Sequence, residues 1–210
     1  MRLLLTADHW KDWPEIARAF KLESEGISNG NLMHSDSMPP FSADLLELGS
    51  AGYESAAKLS KVLSKERYHL VLHLGTALPM EATPAEESWM NVIRVLPLFS
   101  VDPLITRFEA RQTDPARKPH QRGGLINMTN SYFNAFLPIP KVLAYDFPSA
   151  VDIPEIDTPG LRCANAAAIS FSCLLASQPF YQLRWVLKED RSSNYDLAQE
   201  QLLNILQQIR

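Results

Sequence analysis

The chain has 210 residues, of which 46% are apolar, and this is the size of one α/β domain with a sizeable core. Its 24 acidic and 20 basic side chains give a formal net charge of −4. No overall positive field would therefore hold the protein on nucleic acid or on an anionic membrane. We expect a single domain over residues 1–210, with a small molecule or another protein as its partner.

Cysteine content and the N-terminal sequence indicate the compartment. Cys163 and Cys173 do not make a disulfide framework, and a helix between them would hold their Cα atoms ~15 Å apart, so we expect reduced core thiols. The opening segment 1–10 is too short in apolar residues for a signal peptide, and no run approaches the ~18 apolar residues of a membrane span. We expect a cytoplasmic protein that does not bind membranes.

The first elements in chain order are a strand and a helix. The apolar run 2–7 predicts the strand, and segment 13–20, where Pro14 suits a first helical turn, predicts the helix. Residues 21–44 are rich in glycine, proline, serine and asparagine. This composition is typical of turns and leaves room for short hairpin strands.

A strand–helix–strand unit follows. Residues 44–52 predict a short strand that runs into a glycine-containing turn, and residues 53–67 have apolar side chains at helical spacing. The apolar run 68–79 predicts a buried strand that stops at Gly75. The crossover in such a unit favours parallel strands.

The middle of the chain predicts two strands separated by a basic loop. Residues 91–99 and 141–148 have strand patterns, whereas the loop 111–124 carries four Arg or Lys residues and one Asp. Charge runs usually keep a surface hydrated, and a phosphate or partner contact is the alternative for this loop.

The last third predicts a helix, a strand and a closing helix. Segment 164–176 is hydrophobic on most of its circumference and should be buried, and 179–187 predicts a strand. Segment 194–210 is amphipathic and is capped by Asn194 or Ser193. Its predicted apolar side consists of Leu197, Leu202, Ile205 and Leu206.

This order of elements predicts an α/β fold, a three-layer α/β/α domain with a twisted mixed, mostly parallel central sheet. Ligands bind such sheets beyond the carboxyl ends of the strands. Three predicted strand ends carry polar groups there: residues 7–9, 75–77 and 188–190.

Several kinds of site are disfavoured by the sequence. It contains no P-loop, and the glycines at 49–52 lack the spacing of a dinucleotide site. His69 and His73 share a strand face, but no Cys or carboxylate stands close by to complete a metal set. We therefore expect neither a cofactor nor a metal.

The first strand end has two interpretations. Asp8, His9 and Asp12 could serve in general acid–base chemistry if they face a pocket. Alternatively, Asp8 or Asp12 caps the helix that follows.

The other two strand ends are equally open. Gly75 and Thr76 offer N–H groups and a hydroxyl to a ligand, or simply form a turn. Arg184, inside the final strand, is either a structural ion pair or a ligand contact. The charged run 188–190 is either part of the site or a solvated strand end.

Four stretches together resemble the purine nucleoside phosphorylase and nucleosidase superfamily, and within it futalosine hydrolase and the methylthioadenosine/S-adenosylhomocysteine nucleosidases most. The stretches occur in the family's order and cover somewhat over a third of the chain, whereas residues 81–122 match nothing. They are residues 2–13, 46–77, 123–130 and 164–190.

The resemblance implies a twisted mixed sheet surrounded by helices, commonly in an oligomer, here a homo-oligomer. It also implies cleavage of the N-glycosidic bond of a purine nucleoside or futalosine-type compound by water or phosphate. The ribose becomes cationic in that reaction, so a carboxylate near it and a proton donor to the departing base lower the barrier.

The resemblance also assigns substrate-binding positions, with departures from the family pattern. Asn165 stands where the family has a Glu that holds the ribose hydroxyls, and Arg184 stands at a matching Arg. In the turn that contains Gly75 and Thr76, Leu78 replaces a glycine. An asparagine carries no charge to stabilise a cationic sugar.

The catalytic positions implied by the resemblance depart as well. Lys188 falls on the catalytic Asp or Asn, and a short loop shift would bring Glu189 or Asp190 there instead. Asp12 lies near the acidic residue that positions water. We therefore carry two hypotheses: a nucleosidase with impaired or altered catalysis that uses Asp12 with Lys188 or Asp190, and a catalytically degenerate nucleoside-binding or structural homologue. An α/β domain unrelated to nucleosides is the third reading.

Overall fold

The fold is a mixed α/β structure, seen in a computed structural model of the chain. The described residues are 2–21, 32–38, 41–80, 83, 87–97, 125–127, 139–146, 159–187 and 194–208. Lys188, Asp190 and the basic loop 111–124 lie outside them.

Within these residues the chain forms strands, α-helices and one short 3-10 helix, Trp10–Asp12. The strands are β1 Arg2–Ala7, β2 Leu32–Met38, β3 Phe41–Glu47, β4 Leu70–Pro79, β5 Trp89–Pro97, β6 Leu125–Ile126, β7 Lys141–Asp146, β8 Leu161–Cys163 and β9 Phe180–Val186. The α-helices are α1 Pro14–Ala19, α2 Gly52–Leu63, α3 Ala166–Leu175 and α4 Tyr195–Gln208.

All described strands join one mixed sheet in the order β2-β3-β1-β4-β8-β7-β5-β6, with β9 paired to both β4 and β5. Strands β3, β1, β4 and β9 run parallel to one another, whereas β2–β3, β4–β8, β5–β6 and β5–β9 are antiparallel pairs. The parallel strands therefore present their carboxyl ends at one edge of the sheet.

Side chains alternate between two buried clusters along the central strands, as strand geometry requires. Leu3 and Leu5 lie in one cluster together with residues of α1 and α4. Leu4 lies in the other, together with residues of α2 and α3. The amphipathic and all-apolar helices predicted from the sequence thus each bury an apolar surface against the sheet.

Several predicted elements are confirmed. The stretch 21–44 contains the hairpin strand β2, which pairs antiparallel with β3. Cys163 and Cys173 are buried free thiols. Asn194 Oδ1 accepts a hydrogen bond of 3.0 Å from the Leu197 N–H and so caps α4.

Three details of the prediction are wrong. Strand β4 does not stop at Gly75 but continues to Pro79, because Gly75 and the two residues after it pair with β9. Neither Asp8 nor Asp12 caps α1. In its first turn the Glu15 N–H instead donates a hydrogen bond of 2.7 Å to Gln199 Oε1. Leu197 is 36% exposed, because Ala198 takes the inward position on α4.

No helix within the described ranges is long and apolar enough to cross a membrane.

Candidate functional site

The carboxyl edge of the parallel strands carries polar side chains on the face that packs against α2 and α3. Thr6, His73 and Gln182 stand side by side on β1, β4 and β9. One step further along, Gly75 pairs with Arg184, and Asp8 follows the end of β1. The apolar alternation of three neighbouring strands is therefore interrupted at the same level, and this places a polar cluster inside the fold.

Asn165 joins this cluster from the residue that precedes α3. Its backbone has φ +57°, a left-handed conformation that asparagine tolerates better than most residues. Its Nδ2 donates to Asp8 Oδ1 at 2.6 Å and to the Gly49 carbonyl at 3.0 Å. Its Oδ1 accepts from Arg184 Nη2 at 3.0 Å. The amide thus connects the end of β1, the loop before α2, and β9.

Asp8 and Arg184 are the charged pair of the cluster. Arg184 is fully buried, and its Nη1 lies 3.6 Å from Asp8 Oδ2, whereas the Asp8 side chain keeps 19% of its surface exposed. Burial raises the pKa of Asp8 above its ordinary value, and the Arg184 charge and the Asn165 hydrogen bond oppose this effect. The carboxylate is therefore accessible and is held beside a buried cation.

His73 is a neutral member of the cluster. Burial and the nearby Arg184 charge hold the pKa of His73 well below its usual value. Its Nδ1 shares a hydrogen bond of 3.0 Å with the Thr6 hydroxyl, and its Nε2 lies 3.6 Å from Asp8 Oδ1. Among the described residues, neither His73 Nε2 nor Arg184 Nη1 has a hydrogen-bond partner. Buried polar atoms in this state usually meet a ligand or an ordered water.

Gly75 makes room for these two unpaired atoms. A Cβ at this position would lie 2.3 Å from Arg184 Nη1 and 3.0 Å from His73 Nε2. Position 75 of β4 must therefore be a glycine because a side chain there would clash with these atoms, and not because the chain turns at this point.

The start of α3 holds a second acidic group. Asp146, the last residue of β7, accepts a hydrogen bond of 2.6 Å from the Ala167 N–H, where the helix dipole favours an anion. Burial raises the pKa of Asp146, although this hydrogen bond and the Arg184 charge lower it. Burial also raises the pKa of Cys163 to about 12, so that thiol is not a nucleophile at neutral pH.

A buried chain of amides and hydroxyls supports Arg184 from the side of the sheet. Gln182 Oε1 accepts from Arg184 Nη2 at 3.2 Å, and its Nε2 donates to the Ser170 hydroxyl at 2.7 Å. Ser170 in turn donates to Asn127 Oδ1 at 2.7 Å. This chain fixes the guanidinium relative to α3 and β6.

Comparison with solved structures shows which proteins share this arrangement of elements. Helicobacter pylori MTAN superposes with a TM-score of 0.70 at 10% identity, over 100% of this chain and 98% of that one. The native futalosine hydrolase of Helicobacter pylori strain 26695 gives 0.70 at 10% identity, over 100% and 97% of the two chains.

A third structure, a 5'-methylthioadenosine/S-adenosylhomocysteine nucleosidase from Colwellia psychrerythraea in complex with adenine, gives a TM-score of 0.68 at 12% identity, over 100% of this chain and 96% of that one. This chain has the nucleosidase fold. No family model matches the sequence, and no curated protein matches it in sequence. The fold that the sequence resemblance implied is therefore confirmed.

Within the nucleosidase fold, the predicted substrate-binding residues are partly brought together. Asn165, Arg184 and Gly75 meet at the carboxyl edge. Thr76 is the next residue on β4, so strand alternation directs it to the opposite face. Of the predicted catalytic residues, Asp12 ends the 3-10 helix, and its charge contributes to raising the pKa of Asp8. Lys188 and Asp190 fall outside the described part of the chain.

Sequence reasoning did not place His73 or Asp146 in the site and left the role of Asp8 open. The polar residues of β1, β4 and β9 are seen to lie side by side only when the strands are aligned in register. That register cannot be read from the sequence. Asp146 ends β7, which runs parallel to β5 and therefore opposite to β9, so the rule for the carboxyl ends of parallel strands would not have found it.

The described residues contain no group of three or more His, Cys, Asp or Glu side chains that could hold a metal ion. The arrangement offers hydrogen bonds and one accessible carboxylate beside a fixed cation. These groups are suited to binding the hydroxyls of a polyhydroxylated ligand through hydrogen bonds.

Proposed function

We propose that this chain binds a purine nucleoside or a futalosine-type compound at the carboxyl edge of its sheet and hydrolyses the N-glycosidic bond. The observation that carries the proposal is the buried contact of Asn165 Oδ1 with Arg184 Nη2, in a nucleosidase fold and at the two positions that the sequence resemblance assigned to the substrate. Neighbours with this fold are nucleosidases and a futalosine hydrolase, one of them in complex with adenine.

The roles of the remaining predicted residues follow from the same proposal. Gly75 lines the sugar side of the site, Thr76 takes part there through its backbone because its side-chain position is on the opposite face, and Asp12 orients the attacking water. Lys188 or Asp190 protonates the departing base. No cofactor takes part.

The protein is a cytoplasmic homo-oligomer. Its helices lie on both faces of a mostly parallel sheet in three layers, and the two buried clusters support this arrangement.

A panel of purine nucleosides and futalosine-type compounds, incubated with and without phosphate and separated by chromatography, tests the proposed hydrolysis. We expect release of free base without phosphate. If no compound releases base above the uncatalysed rate, the hydrolytic function is wrong.

A second candidate is a degenerate relative that binds a nucleoside without cleaving it. The observation in its favour is that Asn165 is neutral and that its Nδ2 already bonds to Asp8 and Gly49. Loss of one electrostatic contact to a transition state costs about 2–4 kcal/mol, or orders of magnitude in rate.

The double substitution Asn165→Glu with Lys188→Asp separates the two candidates. A degenerate protein gains base release with these carboxylates in place, and more when Asp8→Asn removes the repulsion between Asp8 and the carboxylate at position 165. If the wild type already turns over as fast as ordinary enzymes, the degenerate reading fails.

A further inference from the structure

We propose that the Asp8 carboxylate is the group that carries negative charge to the ribose in this protein. The inference rests on the proposed function, because only N-glycosidic cleavage makes the sugar cationic. It assigns a role in substrate binding to a residue at the end of β1, whereas Asn165 acts by positioning that residue.

The first argument is the geometry of the carboxylate. Asp8 Oδ1 accepts the Asn165 amide at 2.6 Å, whereas Oδ2 lies 3.6 Å from Arg184 Nη1, beyond hydrogen-bond distance. Oδ2 therefore retains acceptor capacity for a ligand hydroxyl. The side chain is 19% exposed, so a ligand can reach it.

The second argument is the unpaired polar atoms beside it. His73 Nε2 and Arg184 Nη1 are buried without a hydrogen-bond partner in the described structure, and both lie 3.6 Å from an Asp8 oxygen. Both atoms occupy the room that Gly75 leaves, since a Cβ there would lie 2.3 Å from Arg184 Nη1 and 3.0 Å from His73 Nε2. Two unsatisfied buried groups around one carboxylate indicate that the arrangement is completed by an oxygen-bearing ligand or its water.

The third argument is that the other carboxylates near this edge have protein partners. Asp146 Oδ2 accepts the Ala167 N–H at 2.6 Å. Glu47 Oε2 accepts the Trp10 N–H at 2.9 Å. Asp8 is thus the described carboxylate that combines contact with Arg184, contact with Asn165 and partial exposure.

Charge balance explains why a neutral residue stands at position 165. A carboxylate there would lie about as close to Asp8 as the present amide does, and two like charges at such a separation repel strongly in a partly buried site. An acid at one of the two positions and an amide at the other is the arrangement that keeps the contact attractive. Asn165 and Asp8 form this pair.

Adenosine and adenine, which differ by the ribose, test the assignment by calorimetry at neutral pH. In the Asp8→Asn variant we expect adenosine to bind at least ~10-fold more weakly, as for a lost hydrogen bond to a charged group, and adenine to bind within ~3-fold of the wild type. Glu47→Gln is the matched control, because it removes one charge from the same sheet edge, and it should leave both affinities within ~3-fold.

Thermal unfolding of the ligand-free proteins, together with the two affinities, separates a binding role from a structural one. Asp8→Asn leaves the buried Arg184 without its charged partner, so a lower melting temperature alone does not decide between the two roles, and the comparison of adenosine with adenine does. A lower melting temperature for Asp8→Asn, with adenosine and adenine weakened equally, would show a structural role and overturn the assignment.

The exchanged pair Asp8→Asn with Asn165→Asp completes the test. We expect it to bind adenosine more tightly than Asp8→Asn alone, because it restores one carboxylate and one amide in contact. Unchanged adenosine affinity in Asp8→Asn, with binding by the wild type intact, refutes the role of Asp8 and leaves the proposed function standing. A wild type that binds neither adenosine nor adenine, nor any other purine nucleoside or futalosine-type compound of the panel, overturns both.

Discussion

Replacing Gly75 with alanine tests whether the polar cluster depends on an open position in β4. The new Cβ would lie 2.3 Å from Arg184 Nη1, 3.1 Å from Arg184 Cζ and 3.0 Å from His73 Nε2. Real Cβ atoms do not approach other heavy atoms at the first of these distances, so the guanidinium must move.

The cost of that movement follows from how Arg184 is held. The side chain is fully buried, and its Nη2 donates to Asn165 Oδ1 at 3.0 Å and to Gln182 Oε1 at 3.2 Å. Because the guanidinium is planar and rigid, displacing Nη1 also displaces Nη2 from both acceptors. Overpacking of a core costs about 1–3 kcal/mol, and a hydrogen bond to a charged group contributes about 1.5–3 kcal/mol. We expect a loss of about 3 kcal/mol.

Thermal and urea unfolding measure this loss. For a chain of this size, about 3 kcal/mol corresponds to a melting temperature lower by roughly 6–12 °C. The control is Gly52→Ala at the start of α2, where the added Cβ meets only Ala168 Cβ at 3.8 Å, an ordinary contact. Its melting temperature should equal or slightly exceed that of the wild type, because the added Cβ causes no clash and helices favour alanine over glycine.

The refuting result is a Gly75→Ala protein as stable as both the wild type and Gly52→Ala. Arg184 would then have room to move, and the space beside Gly75 would not be a requirement of the site. A double-mutant cycle with Arg184→Met adds a second criterion: the penalty for alanine at 75 should shrink once the guanidinium is gone.

Three further predictions concern buried charge and the thiols. Burial tends to raise the pKa of Asp44, but three hydrogen bonds to its carboxylate outweigh this effect and lower it. The ionised carboxylate therefore stabilises the folded protein above pH ~4, and this stabilisation is lost as the pH falls through the lowered pKa. Asp44→Asn should therefore lower the free energy of unfolding, measured with urea at neutral pH, by about 2 kcal/mol, and wild type and variant should become equally stable in acid. The control Glu66→Gln, at an exposed ion pair, should lower it by about 0–1 kcal/mol. Arg184→Met should cost about 3–5 kcal/mol because it leaves a carboxylate unpaired, and wild-type stability in that variant would contradict the buried pair. Burial raises the pKa of Cys163 to about 12 and also raises the pKa of Cys173. Iodoacetamide at pH 8 should therefore label neither thiol in the native protein and both after denaturation, and rapid native labelling would contradict their burial.

Local sequence patterns were enough to predict most of the elements. Alternating and continuous apolar runs located β1, β4 and β9, and the 3.6-residue period located α2 and α4. Residues 164–176 were correctly expected to form a buried helix, because a surface apolar on most sides has to be covered. These features depend on neighbours along the chain, so the sequence shows them directly.

The end of β4 and the acidic cap of α1 were predicted incorrectly for a common reason. Gly75 resembles a strand terminator in sequence, but β9 supplies pairing partners that continue the strand. The first turn of α1 resembles a site for an acidic cap, but Gln199, far along the chain, satisfies its Glu15 N–H. In both cases the deciding partner is distant in sequence.

The site shows the same division between sequence and tertiary structure. The sequence alone determined that Asn165 and Arg184 are polar residues within apolar segments, and such residues need partners when buried. Only the tertiary structure decided that those partners are each other and Asp8, because the fold brings the residue that precedes α3 to the end of β1, 157 positions away in the sequence, and to Arg184 on β9. Hydrogen bonds and ion pairs act over a few ångströms in space, and distance along the chain does not specify which groups come that close.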